Sequence, residues 1–125
     1  MIFERSFPNG SESPRLARRF VTSVLEHLDA ETIAEIELMV SEVATNAIHH
    51  ARSGFEVRIV EGPDEVCVEV TDRGDGTPRA RRPTPNEPTG RGLVIVDTLA
   101  DEWAVERVAD GTTVRFCKAL ARQPT

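Results

Sequence analysis

Hydrophobic residues along this 125-residue chain change their spacing at one point, and that change limits the folds open to the chain. Between residues 14 and 51 they recur every three or four positions, which is typical of amphipathic helices with one buried face. After Gly54 they alternate with polar residues, which is typical of strands that bury one side. Packing the helices against one face of a sheet buries both kinds of apolar surface.

Turn and cap residues divide these patterns into separate elements. Ser13, followed by Pro14, offers an N-cap for the first helix, and Asp29 offers one for the second. Because most of the strands can pair as hairpins, we predict one domain, residues 1–125, with an α+β fold: a two-layer sandwich whose mixed, mainly antiparallel sheet is covered by helices on one face. The predicted elements are a strand at 3–7, helices at 14–28 and 29–51, strands at 55–59 and 66–70, a long loop at 73–89, a short helix opening at Gly92, and strands at 103–108 and 112–120.

Composition excludes several classes of protein. The chain is 39% hydrophobic and 29% charged, a balance typical of a soluble globular domain. Its formal charge of -6 argues against direct binding to nucleic acid. No apolar run approaches the roughly 20 residues of a membrane helix, and the N-terminus lacks a secretory signal, so we expect a cytoplasmic protein. Cys67 and Cys117 lie far apart in apolar stretches, which favours buried reduced thiols over a disulfide or half a metal site.

Three polar residues share one edge of the buried face of the second helix. Glu42, Asn46 and His50 follow one another at intervals of one turn beside an apolar stripe that includes Val40 and Val43. A carboxylate and a carboxamide one turn apart suit Mg²⁺, which takes oxygen ligands. The alternative is a solvated helix flank without a ligand.

Glycines at alternate positions follow one predicted strand and open one predicted helix. Asp72 ends the strand and precedes Gly74 and Gly76, so its carboxylate can accept a hydrogen bond from a ligand amine while the glycines let the backbone approach a flat base. Gly90 and Gly92 open the short helix, whose N–H groups can hold phosphate. Taken singly, each pattern is also compatible with an ordinary turn or a chance glycine pair.

The order of the patterns carries a resemblance that none of them carries alone. Gly111 and Thr112 begin the last strand and indicate by themselves only a hairpin turn. With the three earlier patterns they resemble, in order, the N, G1, G2 and G3 boxes of the superfamily of DNA gyrase, heat-shock chaperone ATPases, sensor histidine kinases and mismatch-repair ATPases. Within it, LMVSEVATNAIHHA at 38–51 and GRGLVIVDTLADEWAV at 90–105 resemble the anti-sigma factor serine-protein kinases. The resemblance covers about residues 10–120 and implies the Bergerat-type ATP-binding fold.

The resemblance implies a role for each motif residue toward ATP and Mg²⁺. Asn46 would bind Mg²⁺, which bridges the phosphates, and Glu42 would be the general base toward the acceptor hydroxyl. Asp72 would accept the adenine amino group with the support of Thr112. For His50, a contact with phosphate and a packing role both stay open. Residues 73–91 would form a mobile ATP lid, and the other implied nucleotide-binding residues are Gly74, Gly76, Gly90, Arg91, Gly92 and Leu93.

The resemblance also implies partners. With 41 residues before Glu42, we expect no phosphoacceptor hairpin of the sensor histidine kinase type and therefore an acceptor on another protein. In the resembling family the acceptor is a Ser or Thr of an anti-anti-sigma protein, and the kinase holds a sigma factor, here expected as a homodimer. The prediction is thus an anti-sigma factor with protein serine/threonine kinase activity. One alternative is a nucleotide-responsive module that sequesters a partner without phosphorylating it, and another is a structural domain with coincidental glycines.

Overall fold

The fold contains the predicted helices and strands in the predicted order. A computed structural model describes residues 1–50, 54–73, 91–108 and 111–120, without the side chains of residues 50, 91, 92 and 108. The elements begin or end up to three residues from the predicted positions. They are β1 (Ile2–Phe7), α1 (Ser13–Leu25), α2 (Ala30–His50), β2 (Phe55–Glu61), β3 (Glu65–Arg73), α3 (Arg91–Leu99), β4 (Glu102–Val108) and β5 (Gly111–Ala119).

The described strands form one five-stranded sheet with the order β1-β2-β3-β5-β4. Both predicted hairpins, β2–β3 and β4–β5, are confirmed, and the pairing of β3 with β5 joins them. Strand β1 adds to the free edge of β2, with Phe7 opposite Phe55. The α+β sandwich is therefore confirmed. The pairings among the described strands are all antiparallel, so the parallel component of the expected mixed sheet is not found there.

The two long helices begin in different ways, and one of the two predicted caps is wrong. Asp29 caps α2 as predicted, because its carboxylate accepts hydrogen bonds from the hydroxyl and the backbone N–H of Thr32, at 2.6 and 3.0 Å. These bonds, the side-chain one first, hold the pKa of Asp29 below its ordinary value of 3.8. Ser13 does not cap α1: it is buried, and its hydroxyl donates to the Pro8 carbonyl, while Glu12 stands at the N-cap position.

The core lies between the helices and one face of the sheet. Phe7 stacks on Phe55 with ring centroids 5.4 Å apart and lies 6.2 Å from Phe20 of α1. Each large apolar side chain that is fully buried stabilises the fold by roughly 1.5–3 kcal/mol. The other buried core residues are Ala17, Val21, Leu25, Ile36, Met39, Val40, Val43, Ala44, Ala47, Val57, Ile59, Val66, Val68, Val70, Val96 and Phe116.

None of the helices in the described ranges is both long and apolar enough to cross a membrane.

The opposite face of the sheet carries a row of charged side chains and the two cysteines. Arg58 lies between Glu4 and Glu69, with N···O distances of 3.2 and 3.7 Å. Cys67 and Cys117 are register partners on β3 and β5 and form a disulfide, so the prediction of reduced thiols is wrong. Fifty residues separate the two in sequence, and only the strand register shows that they lie opposite each other.

Candidate functional site

Glu42 and Asn46 lie on the flank of α2, as the helical period predicts. Val43, Ala44 and Ala47 beside them are buried, whereas Glu42 and Asn46 are half-buried at the border of the stripe. Neither side chain makes a hydrogen bond or an ion pair with another residue of the described ranges. Their oxygen atoms are therefore available to a ligand.

Asp72 and Thr112 come from two motifs far apart in sequence and are direct neighbours in the sheet. They are register partners on β3 and β5. Because side chains alternate along a strand, Asp72 shares the face of the buried Val70, and Thr112 shares the face of the buried Phe116. Both residues are half-buried on the helix-facing side, and cross-strand partners have Cβ atoms about 4.5–5.5 Å apart. The carboxylate and the hydroxyl can thus bind one ligand together.

The lack of a side chain at Gly111 lets β5 approach β3 closely next to Asp72. A Cβ atom at position 111 would lie 1.8 Å from the carbonyl oxygen of Asp72 and 3.0 Å from the Cα of Arg73. Any side chain would therefore displace the backbone that carries Asp72. On the other face of the same ladder, the hydroxyls of Thr71 and Thr113 are hydrogen-bonded at 2.8 Å. The position of Asp72 is fixed by close backbone packing.

Helix α3 is held in place from its C-terminal end. Lys118 of β5 donates to the carbonyl of Leu99 at 2.9 Å, and its Nζ lies 3.2 Å from Glu35 of α2. A cation at a helix C-terminus also interacts favourably with the helix dipole. Trp103 donates its indole N–H to Asp97 at 2.8 Å. Since α3 also packs against α2, these contacts set the position of its first turn relative to Glu42 and Asn46.

Some of the remaining predicted site residues belong to described elements, and others lie outside the described residues. Arg91 and Gly92 form the start of α3, and Leu93 after them is half-buried. His50 ends α2, and its side chain is not described. Gly74, Gly76 and Gly90 lie outside the described residues, as does the predicted lid except for Arg73, which ends β3, and Arg91. The structure thus brings together Asp72 with Thr112 and Glu42 with Asn46, and relates the two pairs by the packing of α2 on β3.

Two residues gain a role that the sequence interpretation missed. The motif pattern included Gly111, but its contact with Asp72 depends on the partner strand, which the sequence does not show. Lys118 had no sequence signal beyond its place on the last strand, yet it joins α2, α3 and β5. A basic residue on the helix-facing side of a strand, where apolar residues are expected, was the available signal.

Comparison with known proteins places the chain in a family. A sequence model of the family described as "Histidine kinase-like ATPase domain" matches residues 7–118. An anti-sigma F factor of Caldanaerobacter subterraneus subsp. tengcongensis is 31% identical, and the alignment spans 97% of this chain and 95% of that protein. The anti-sigma F factor of Pasteuria penetrans is 34% identical, over 94% of this chain and 89% of that one.

One solved structure has a similar fold. It contains the RsbU and RsbW domains of Rv1364c from Mycobacterium tuberculosis, and it matches 98% of this chain with a TM-score of 0.77 and 24% identity. The match covers 33% of that longer chain, so the likeness concerns the fold of one part of it. The chain described here belongs to the histidine kinase-like ATPase family. Within that class it is a member of the anti-sigma factors.

Proposed function

We propose that the chain is a Mg·ATP-binding anti-sigma factor that phosphorylates a serine or threonine of an anti-anti-sigma protein. The observation that carries this proposal is the pairing of Asp72 with Thr112 on the sheet face against which α2 packs. The pairing joins two motifs that are far apart in the sequence, and the packing of α2 on β3 adds Glu42 and Asn46 from a third motif. Membership of the histidine kinase-like ATPase family supports ATP as the nucleotide.

Asp72 is proposed to select adenine. An ionised carboxylate only accepts hydrogen bonds, so it favours a base that presents an amino group over one that presents a carbonyl oxygen. The Thr112 hydroxyl can both donate and accept, and it lies beside Asp72 in the ladder. The tight contact at Gly111 fixes the backbone that carries the carboxylate, which favours discrimination between bases.

The flank of α2 fits a magnesium ion. Mg²⁺ prefers oxygen ligands and is usually held by one or two side chains together with substrate phosphates and water. Asn46 offers a carboxamide oxygen as the ligand, half-buried and without a partner in the described ranges, and the Glu42 carboxylate one turn away would reach the ion only through water. When bound, the ion would supply charge neutralisation at the phosphates. The first turn of α3, with Arg91 and Gly92, would hold phosphate by its backbone N–H groups.

Glu42 is proposed as the general base. Its carboxylate would take the proton from the acceptor hydroxyl as that oxygen attacks the terminal phosphate of ATP, whose bond to ADP breaks so that ADP leaves; Asn46 would hold the magnesium ion. Its position at the border of the buried stripe leaves it accessible to a side chain of a second protein. We place that reaction in the cytoplasm, with a sigma factor as the regulated partner and a homodimer as the working unit; the relatives' name supports the sigma factor.

The test separates nucleotide binding from phosphoryl transfer. The full chain and its Glu42→Ala variant are titrated with Mg·ATP by calorimetry and then incubated with γ-labelled ATP and each anti-anti-sigma-like protein encoded by the same genome. The variant should bind Mg·ATP within about tenfold of the unmodified chain yet transfer phosphate 10²- to 10⁴-fold more slowly, roughly the contribution of a general base. Glu31→Ala is the matched control, because it removes a carboxylate about three turns earlier on the same side of α2 and should leave both measurements unchanged.

Two results would contradict the proposal. If Glu42→Ala transfers phosphate at the normal rate, Glu42 is not the base. If the unmodified chain binds ATP but phosphorylates none of the acceptors, the nucleotide-responsive binding module becomes the better description.

A further inference from the structure

The face of the sheet opposite the helices places three potential metal ligands together, away from the proposed nucleotide site. The sulfur atoms of Cys67 and Cys117 and a carboxylate oxygen of Glu65 all lie within 4.8 Å of one another. Glu65 and Cys67 are two positions apart on β3 and therefore face the same side. The cysteines are 4% and 1% exposed, whereas Glu65 is exposed to solvent.

The backbone, and not the disulfide bond alone, holds the two sulfurs next to each other. Cys67 and Cys117 are directly opposite in the β3–β5 ladder, with Cα atoms 4.1 Å apart. The carbonyl of Cys117 accepts a hydrogen bond from the backbone N–H of Asp101, so it points toward β4 and away from β3. Cys67 and Cys117 are therefore a non-hydrogen-bonded pair of the β3–β5 ladder, the type in which side chains approach most closely. Breaking the sulfur–sulfur bond would therefore leave both thiols adjacent, because the hydrogen bonds of the ladder on either side hold the strands.

We propose that the reduced chain binds one thiophilic divalent cation, Zn²⁺, through Cys67, Cys117 and Glu65. A dithiol reductant supplies two electrons and two protons: the Cys67–Cys117 bond breaks, two S–H groups form, and the reductant becomes a disulfide. Metal binding then releases the two thiol protons to solvent and forms two sulfur–metal bonds. Two thiolates and a carboxylate are ligands that Zn²⁺ accepts, and water completes a four-coordinate site. The oxidised chain has no thiolate to offer and does not bind the ion.

The surroundings suit such a site. Glu65 and Cys67 border an open cavity of about 300 Å³, which gives the ion and its water access from solvent. Arg115 donates to the sulfur of Cys67 at 3.5 Å, an outer hydrogen bond of the kind that orients a metal-bound thiolate. Glu69 lies 3.8 Å from Arg115 and offsets its positive charge.

The experiment compares the oxidised and reduced full chain. Protein reduced with dithiothreitol is freed of reductant under inert gas and titrated with Co²⁺, and the thiolate-to-cobalt charge-transfer absorption is followed before Zn²⁺ is added to displace the cobalt. We expect one equivalent of Co²⁺ per reduced chain, displacement by Zn²⁺, and no charge-transfer band with the oxidised chain. Circular dichroism of the reduced chain should show an intact fold, and its unfolding would overturn the proposal, since the ladder could not then hold the thiols.

Variants identify the ligands. Glu65→Gln should keep the band but weaken metal binding by about tenfold or more, since even residues that only support a ligand contribute 10- to 100-fold. Glu102→Gln is the matched control: Glu102 lies opposite Cys117 on its β4 side, outside the cluster, and its removal should change nothing. Cys67→Ser should lose the band. Failure of the reduced chain to bind Co²⁺ or Zn²⁺, equal binding by the oxidised chain, or unchanged affinity in Glu65→Gln would each overturn the proposal.

Discussion

Two regions of the sheet use the same backbone contact for different purposes. A Cβ at Gly54 would lie 1.9 Å from the carbonyl oxygen of Phe7, and a Cβ at Gly111 would lie 1.8 Å from that of Asp72. The first contact fixes β1 on the edge of β2, beside the stacked rings of Phe7 and Phe55. The second fixes β3 against β5 at the proposed adenine-binding residue. A glycine pattern therefore does not reveal function by itself, because function depends on what the contacted strand carries.

The largest effect is expected at the proposed nucleotide site, from a substitution that leaves the fold intact. Asn46→Ala removes the proposed oxygen ligand, and since no other described side chain on this flank except Glu42 offers an oxygen one turn away, the affinity for Mg·ATP should fall by at least about 100-fold. Calorimetry measures the affinity and thermal unfolding checks the fold. Thr45→Ala is the control, because within the described ranges the Thr45 hydroxyl donates to the Ser41 carbonyl of the same helix. Unchanged affinity in Asn46→Ala would remove Asn46 from the site.

The two glycine contacts can be compared directly. Gly111→Ala and Gly54→Ala should each lower the free energy of unfolding by about 1–3 kcal/mol, the usual cost of overpacking. Only Gly111→Ala should also weaken ATP binding by the folded protein, since it alone displaces Asp72. Gly10→Ala is the control, because a Cβ there meets nothing within 4 Å. Equal ATP affinity in the folded forms of both variants would show that the contact at Gly111 is purely structural.

A smaller loss of stability is expected where β5 anchors the helices. Lys118→Met keeps most of the apolar stem but removes the bonds to Leu99 and Glu35, which should lower the free energy of unfolding by about 1–2 kcal/mol. Arg115→Met, on the opposite face of the same strand, removes an ion pair with Glu69 at 3.8 Å and a long hydrogen bond to the sulfur of Cys67 at 3.5 Å, and should cost less than about 0.5 kcal/mol. Chemical denaturation of both variants measures the difference, and equal losses would contradict the proposed anchoring of α3.

The smallest effect concerns the start of α2 and depends on pH. Because the bonds from Thr32 lower the pKa of Asp29 in the folded state, ionised Asp29 stabilises the fold above its ordinary pKa of 3.8, and this contribution is lost as pH falls through the lowered value. The difference in melting temperature between the unmodified chain and Asp29→Ala should therefore be larger at about pH 6 than at about pH 2.5. Thr32→Val should weaken that pH dependence as well. A difference that stays constant with pH would assign the stabilisation to the cap geometry alone.

Local pattern predicted the elements well because each depends on residues close in sequence. The period of the apolar residues identified α2 and the flank that holds Glu42 and Asn46, and Asp29 marked its start. The cap predicted at Ser13 is wrong, since its hydroxyl donates a hydrogen bond to the Pro8 carbonyl and does not cap the helix N-terminus. A cap residue followed by proline was a valid local signal, but the fold of the preceding turn brought a competing acceptor within reach.

Residues close in sequence are enough to specify the helices, the strands, the order of the motifs and the membership of the histidine kinase-like ATPase family. Strand pairing, in contrast, makes neighbours of residues far apart in sequence: Asp72 and Thr112, Gly111 and the backbone of Asp72, and Cys67 and Cys117. Periodicity specifies the face of a strand on which a residue lies, because alternation is a local property of the backbone. It does not specify the residue opposite, since register depends on how two distant segments pack together.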